Sequence, residues 1–246
     1  MVWCVMRKKR RIIIGILAFL FPFLFQFLSP VIPVEGLLDG GILVGAIFVF
    51  AAQFLLSIFF GRIFCGWICP GGAYQEAFCS HMNTKKANPK VDKIKFISWA
   101  IWIVALVVII LLVGGIKKAN FFYNTYYIRS VDVWGYYFII YSIVSLVIFA
   151  SASIIGKRGF CHTFCWMAPF MIIGNKLGRK LKVPQLKLKV NPAQCTGCKK
   201  CEKNCRMGLN VVSMVHQGVI DSSECILCGE CIEECPKDVI KYTFKK

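Results

Sequence analysis

Histidine is almost missing from this chain, with three residues in 246, and none falls in a long apolar run. That scarcity argues against haem held by paired axial histidines. There is no glycine-rich dinucleotide fingerprint, no P-loop and no Ser/His/Asp constellation. No flavin and no covalent intermediate on the chain are therefore expected. Acidic residues are also few, 12 against 30 Lys and Arg, for a formal charge of +18. Finally, no small-x-small cleavage site follows the first apolar run, so that segment is expected to stay attached as an anchor.

What is present is apolar: 57% of residues are hydrophobic and the mean hydropathy is +0.64. Four stretches suit a bilayer core of roughly 30 Å, which takes about 20 helical residues: Ile12–Ile32, Gly41–Gly61, Ile97–Gly115 and Tyr136–Ile155. The expected fold is an α-helical membrane protein with four transmembrane helices. Pro22 predicts a kink in the first of them, with a re-entrant segment as the alternative.

Cations set the orientation. Arg7 to Arg11 precede the first span, Arg62, Lys85, Lys86, Lys90, Lys93 and Lys95 follow the second, and Lys157 and Arg158 follow the fourth. The loop "PVEGLLDG" has none, and the loop after the third span has only Lys117, Lys118 and Arg129. Both termini are expected on the cytoplasmic side of a multi-pass plasma-membrane protein. Cations beside spans answer to topology and anionic lipid, so a nucleic-acid partner is not expected.

Three regions follow: a membrane part, 1–156; a basic connector, 157–190, expected against lipid headgroups; and a cysteine-rich tail, 191–246. "GRIFCGWICPGG" after the second span and "GKRGFCHTFCWMAP" after the fourth share a glycine, a basic residue, Phe-Cys and a second Cys four residues on. Both copies emerge on one side, which predicts a parallel pseudo-repeat.

Fourteen cysteines facing the cytoplasm point to metal or redox work and not to disulfides. In the tail, "CTGCKKCEKNC" and "CILCGECIEECP" each follow C-x-x-C-x-x-C-x-x-x-C, the spacing in which the fourth cysteine ligates the other cluster. Cys195, Cys198, Cys201 and Cys235 are assigned to one 4Fe-4S cluster, and Cys225, Cys228, Cys231 and Cys205 to a second. Zinc would leave four thiols surplus. Pro236 follows the last cysteine as the pattern expects; Arg206 stands at the matching place in the first motif. The segment "DVIKYTF" reads as a strand closing on one before Cys195.

In the loops, helical backbone would put Cys65 and Cys69, and likewise Cys161 and Cys165, roughly 5 to 6 Å apart on one face. That is wide for a disulfide and suits two ligands of one centre. If the loops converge, four thiols form a third metal or redox centre, iron-sulfur or else copper or zinc. Free, buried thiols are the alternative.

The other polar positions carry less. His162 is expected to hydrogen-bond toward the headgroups, and His81 and His216 to be solvated. Gln26, Gln53 and Ser57 read as interhelical hydrogen-bonding groups, with a quinone headgroup site as the alternative. Trp67 and Trp166 read as interfacial anchors. Lys199, Lys200, Lys203 and Lys237 around the tail cysteines either tune them, dock an acidic partner, or are solvated.

The motif "FCGWICP" and the double tail motif, on four spans, resemble the NapH-like ferredoxin-type membrane proteins, over nearly the whole chain. The second loop departs from that family in lacking a proline directly after Cys165. The resemblance implies membrane electron transfer between a cytoplasmic or partner-protein site and a quinone pool or partner redox subunit. Relatives of this architecture also assemble metal cofactors and handle copper, which is the alternative role.

Overall fold

The structure is a computed structural model that describes residues 2–79, 82–125 and 135–245; His81 and Arg129 lie outside them. The amino-terminal apolar run forms three short helices, α1 (Val2–Phe19), α2 (Phe21–Leu28) and α3 (Val31–Leu38). The kink expected at Pro22 is a break: the axes of Lys8–Phe19 and Phe21–Leu28 differ by 77°. Pro22 sits in the first turn of α2, where its missing N–H removes no helical bond. The second break, at Ser29 and Pro30, leaves backbone carbonyls to be satisfied inside an apolar environment. Two indoles do so, with Trp166 Nε1 donating to Leu28 O at 2.7 Å and Trp102 Nε1 to Pro30 O at 2.8 Å. Trp166, read as an interfacial anchor, thus braces a broken helix.

Strand β1 (Ile42–Val44) leads into α4 (Gly45–Phe60), and two small helices follow, α5 (Ile63–Trp67) and α6 (Pro70–Cys79). After a 3-10 turn come α7 (Ile94–Val113), β2 (Lys118–Asn120) and α8 (Tyr136–Ile155). Strands β1 and β2 pair in parallel, Ile42 opposite Lys118. Among the described residues, Pro89–Val113 and Tyr136–Ile155 are long and apolar enough to cross a membrane, and the bent first pair adds a third candidate if it is one span. Helix α4, at 16 residues, is shorter than the roughly 20 that a bilayer core takes. Leu112 is 81% exposed and Ile154 80%; apolar faces this open call for lipid.

The second half repeats the helix-loop-helix pattern with α9 (Gly159–Thr163) and α10 (Ala168–Lys180). Helix α10 packs on α4 with almost no spacer. A Cβ at Gly174 would lie 2.0 Å from Ser57 Oγ, and one at Gly178 2.3 Å from Ile58 O, the small-residue approach expected between helices in lipid. The segment read as a headgroup-bound connector is therefore built into the helical body. Its last residues form β3 (Gln185–Val190), which pairs antiparallel with β4 (Ile240–Lys245), Val190 opposite Ile240. The ferredoxin-like sheet thus starts inside 157–190, ahead of the boundary at 191. Gln185, fully buried, ties it down by donating to Ile58 O at 2.7 Å and Asn175 O at 3.0 Å.

Candidate metal centres

Between β3 and β4 lie three short helices, α11 (Lys200–Lys203), α12 (Val211–His216) and α13 (Glu230–Glu233). The two cysteine motifs share one backbone. Gly197 and Leu227, third in each motif, have φ 67° and 51°; Lys199 and Gly229, fifth, have 59° and 83°. Each motif has glycine at one of these left-handed places, and the non-glycine costs about 1–2 kcal/mol. The turn after the fourth cysteine also matches, with φ 64° at Gly208 and 50° at Asp238. Arg206 in place of proline therefore leaves the turn unchanged, and it has partners of its own described below.

The cavities group the tail thiols by fours. Cys195, Cys198, Cys201 and Cys235 line one, and Cys205, Cys225, Cys228 and Cys231 line another, the two sets expected from sequence. Burial pushes Cys225 up to about 12 and Cys228 up to about 11, with neighbouring thiols adding to it. Groups so reluctant to ionise become thiolates when a metal takes the proton's place. Backbone N–H groups of Leu227 and Glu230 oppose the rise by donating to Cys225 and Cys228. The chemistry of this donor set fits iron-sulfur clusters.

The two loops also share a hydrogen-bond pattern. Ile68 N and Cys69 N both donate to Phe64 O, at 2.9 and 2.8 Å, and Phe164 N and Cys165 N both donate to Phe160 O, at 3.0 and 3.1 Å. Cys65, Cys69, Cys161 and Cys165 are each under 10% exposed. They are close enough that Cys65, Cys165 and Cys161 all disfavour ionisation of Cys69, after burial the largest causes of its raised pKa. Burial and the same neighbours push Cys165 up to about 12. A single tetrahedral ion would draw sulfurs to within about 4 Å of one another, given bonds of about 2.3 Å. Among the described residues, the set of three metal-ligating types found within 4.8 Å is Asp92, His162 and Glu224, and not a cysteine group.

That acidic set already holds a cation. Lys95, with no exposed surface, places Nζ 2.6 Å from Glu224 and 3.5 Å from Asp92, and Arg62 Nη1 reaches Glu224 at 2.9 Å. His162 is buried, with Nδ1 2.5 Å from Asp92 and Nε2 3.2 Å from Met207 O; the headgroup contact expected for it is replaced by contacts inside the protein. Trp67, read as an anchor, donates to Leu227 O at 3.1 Å.

Sequence reasoning missed the arginines as site residues. Arg62 and Arg158 stand three places before Cys65 and Cys161, and both are buried. Burial works against the Arg62 charge, but Cys65 and Glu224 outweigh it and raise its pKa. Arg158 is raised in the same way, by Glu76 and Cys161 against burial. Arg62 Nε and Nη2, and Arg158 Nε, make no hydrogen bond among the described residues. The shared "basic residue, then Phe-Cys" of the repeat was the available signal. Glu76 gathers a second network. It accepts from Arg10 at 2.8 and 2.9 Å and from Arg158 at 2.6 Å, and lies 3.3 Å from Arg206. Arg10 and Arg206 also reach Glu230 of the second tail motif, at 2.9 and 3.0 Å. Arg10 Nε donates to Gly66 O at 3.0 Å.

The first loop meets the second tail motif backbone to backbone. A Cβ at Gly66 would lie 2.3 Å from Ile226 O and 3.2 Å from Cys228 Cα. Gly66→Val is expected to cost about 1–3 kcal/mol by overpacking and to open the tail junction to limited proteolysis, with tail iron retained.

A family model described as a 4Fe-4S binding domain matches residues 42–87 and again 138–184, and one described as a 4Fe-4S dicluster domain matches 194–240. An uncharacterized protein of Methanocaldococcus jannaschii, MJ0750, is 28% identical over 229 residues, 86% of this chain and 87% of that protein. The ferredoxin-type protein NapH of Haemophilus influenzae is 25% identical over 232 residues, 88% of this chain and 75% of that one. The putative electron transport protein YccM of Escherichia coli is 23% identical over 199 residues, 78% and 53% of the two chains. No solved structure matches. With its paired cysteine loops and double tail motif, the chain is similar to the NapH-like ferredoxin-type 4Fe-4S proteins, and these matches support iron-sulfur electron transfer.

Proposed function

We propose that this chain relays single electrons between a cytoplasmic or partner-protein donor and a membrane acceptor, a quinone or a partner subunit, through three centres in series. The tail cysteines hold two 4Fe-4S clusters, Cys195, Cys198, Cys201 and Cys235 for one and Cys205, Cys225, Cys228 and Cys231 for the other. Cys65, Cys69, Cys161 and Cys165 hold the third. Bound clusters supply one-electron exchange. The chain supplies spacing, charge and exclusion of water.

One observation carries the third centre: four buried thiols from two matching loops lie among two buried guanidiniums with unused N–H groups. Both guanidiniums share their carboxylates with other cations, so neutral thiols leave positive charge and N–H groups over, whereas thiolates on a metal cluster would meet both. The double match of one 4Fe-4S family model, once across each loop, supports the same reading. Contact at Gly66 then brings the third centre beside the Cys225 set, and the Cys201 set follows it outward. Cys198, exposed, with Lys199, Lys200 and Lys237 around it, forms the outer end where a soluble acidic donor docks. At the inner end, an aromatic cluster of Phe21, Phe25, Phe160 and Trp166 abuts the second loop, the side from which a membrane acceptor would approach.

In this reading the bent first pair and the short α4 both span, the two helix-loop units form a parallel repeat, and both termini are cytoplasmic. The helical body and the ferredoxin-like tail form two functional regions. A specific contact favours a second reading, copper handling: Met171 Sδ lies 3.8 Å from Cys65 Sγ, and thiolate with thioether suits Cu(I). Protein reduced with a low-potential donor and mixed with a quinone analogue decides between them. Rapid quinone-dependent reoxidation of the clusters is expected; none, together with stoichiometric copper, would establish the second reading.

A further inference from the structure

A cleft of about 460 Å³ lies where the tail meets the helical body, and the electron relay leaves it unexplained. Its wall is built from α6, the segment after it, the turn after α8 and the end of the first tail motif. Five cations line it, Lys86, Lys157, Arg158, Lys203 and Arg206, against two carboxylates, Glu76 and Glu202.

The pairing leaves charge over. Arg158 and Arg206 are committed to Glu76, and Lys86 to Glu202 at 2.6 Å. Among the described residues, Lys157 Nζ meets main-chain oxygens alone, Lys203 O at 2.5 Å and Cys205 O at 3.4 Å. Lys203 has no carboxylate partner among the described residues. Two ammonium groups thus face one concave space with no carboxylate among the described residues paired to them, and like charges held in a cleft focus a field that attracts anions.

A second observation points the same way. Gln75 also lines the cleft, is 2% exposed, and has its Nε2 without a partner among the described residues. A buried amide donor left unmade costs free energy comparable to a lost hydrogen bond. An anion in the cleft neutralises the lysines, and one seated deeply enough to meet the Gln75 amide removes that cost as well. The Thr84 hydroxyl adds a further donor to the lining.

We propose that this cleft is an oxyanion site of the phosphate class, served by Lys157, Lys203 and the Gln75 amide, that fastens the tail to the helical body. Free phosphate and the phosphate of an anionic lipid headgroup share that chemistry, and the cleft's place beside the ends of spanning helices admits either source. The bound anion bridges residues from both regions, so binding stabilises the docked form by mass action.

The test uses the full, cluster-loaded protein in detergent. Inorganic phosphate, titrated against chloride at matched ionic strength, is expected to raise the unfolding temperature saturably. Lys157→Gln with Lys203→Gln is expected to abolish the rise. Lys203→Gln alone, a change at an exposed residue that leaves folding intact, is expected to weaken it several-fold. Lys90→Gln with Lys93→Gln, an equal loss of charge outside the cleft, is expected to leave it in place. If phosphate has no effect but vesicles containing phosphatidylglycerol stabilise the wild type over phosphatidylcholine alone, and the Lys157/Lys203 variant loses that difference, the site takes the headgroup. No saturable response to either, or one that the Lys157/Lys203 variant retains, overturns the proposal.

Discussion

Serine at Cys65, Cys69, Cys161 and Cys165 together is expected to lower purified protein from about twelve irons per chain to about eight, four for each 4Fe-4S set. Labile sulfide should fall in proportion, while the signals of the two tail clusters persist. The expectation rests on the burial of all four thiols and on Arg62 and Arg158, which share their carboxylates with other cations and keep N–H groups without an acceptor among the described residues. Loss of reoxidation by quinone in the same variant would place the loops on the electron path. If iron stays at about eight in both proteins and copper alone disappears, the copper reading gains and the three-cluster relay is wrong.

Glu76→Gln is expected to cost about 3–5 kcal/mol of stability, the range for removing one partner of a buried charged set. Three arginines, Arg10, Arg158 and Arg206, lose their common carboxylate, and two of them are almost completely buried. Thermal unfolding of the loaded protein measures the loss, and premature release of the tail on proteolysis should accompany it. The effect has a defined pH dependence. Burial favours the neutral acid, but Arg158 and Arg10 outweigh it and hold the Glu76 carboxyl at about 2 against an ordinary 4.5. A carboxyl lowered on folding contributes fully above its unfolded value and loses that contribution as pH falls toward its folded value. The gap between wild type and variant should therefore be constant near neutrality and close from about pH 4.5 downward.

The tail motifs were legible because their information is local: thiol spacing along a short segment fixes which groups can wrap one cluster. The cavities sort the eight tail cysteines as the spacing did. The strand closing after Cys235 was legible from alternation, and its partner starts at Gln185 because the antiparallel register runs six residues back. The cations were misjudged for a physical reason. Arg10, Arg62, Lys95 and Arg158 look like loop charges that fix topology, yet each is under 6% exposed and paired. Their partners stand far along the chain, Glu76 for Arg10 at 66 positions and Glu224 for Lys95 at 129, beyond what any local pattern reports. The break at Leu20 was hidden likewise, since Pro22 alone permits either a kink or a new helix. Tertiary donors such as the two indoles decide which.

The reach of Arg10 also says something about biogenesis. Its guanidinium sits in a position completed by Glu230, 220 residues later in the chain, and contacts that distant form late because loop closure must come first. A helix synthesised 220 residues ahead of its partner is thus among the last to be fixed. Until then Arg10 has Glu76 alone, a carboxylate it shares with Arg158, and lacks the Glu230 contact that completes its site. Final closure of the amino-terminal helix waits on the finished second tail motif, so a chain whose tail has not formed leaves its own front door open to quality-control proteases.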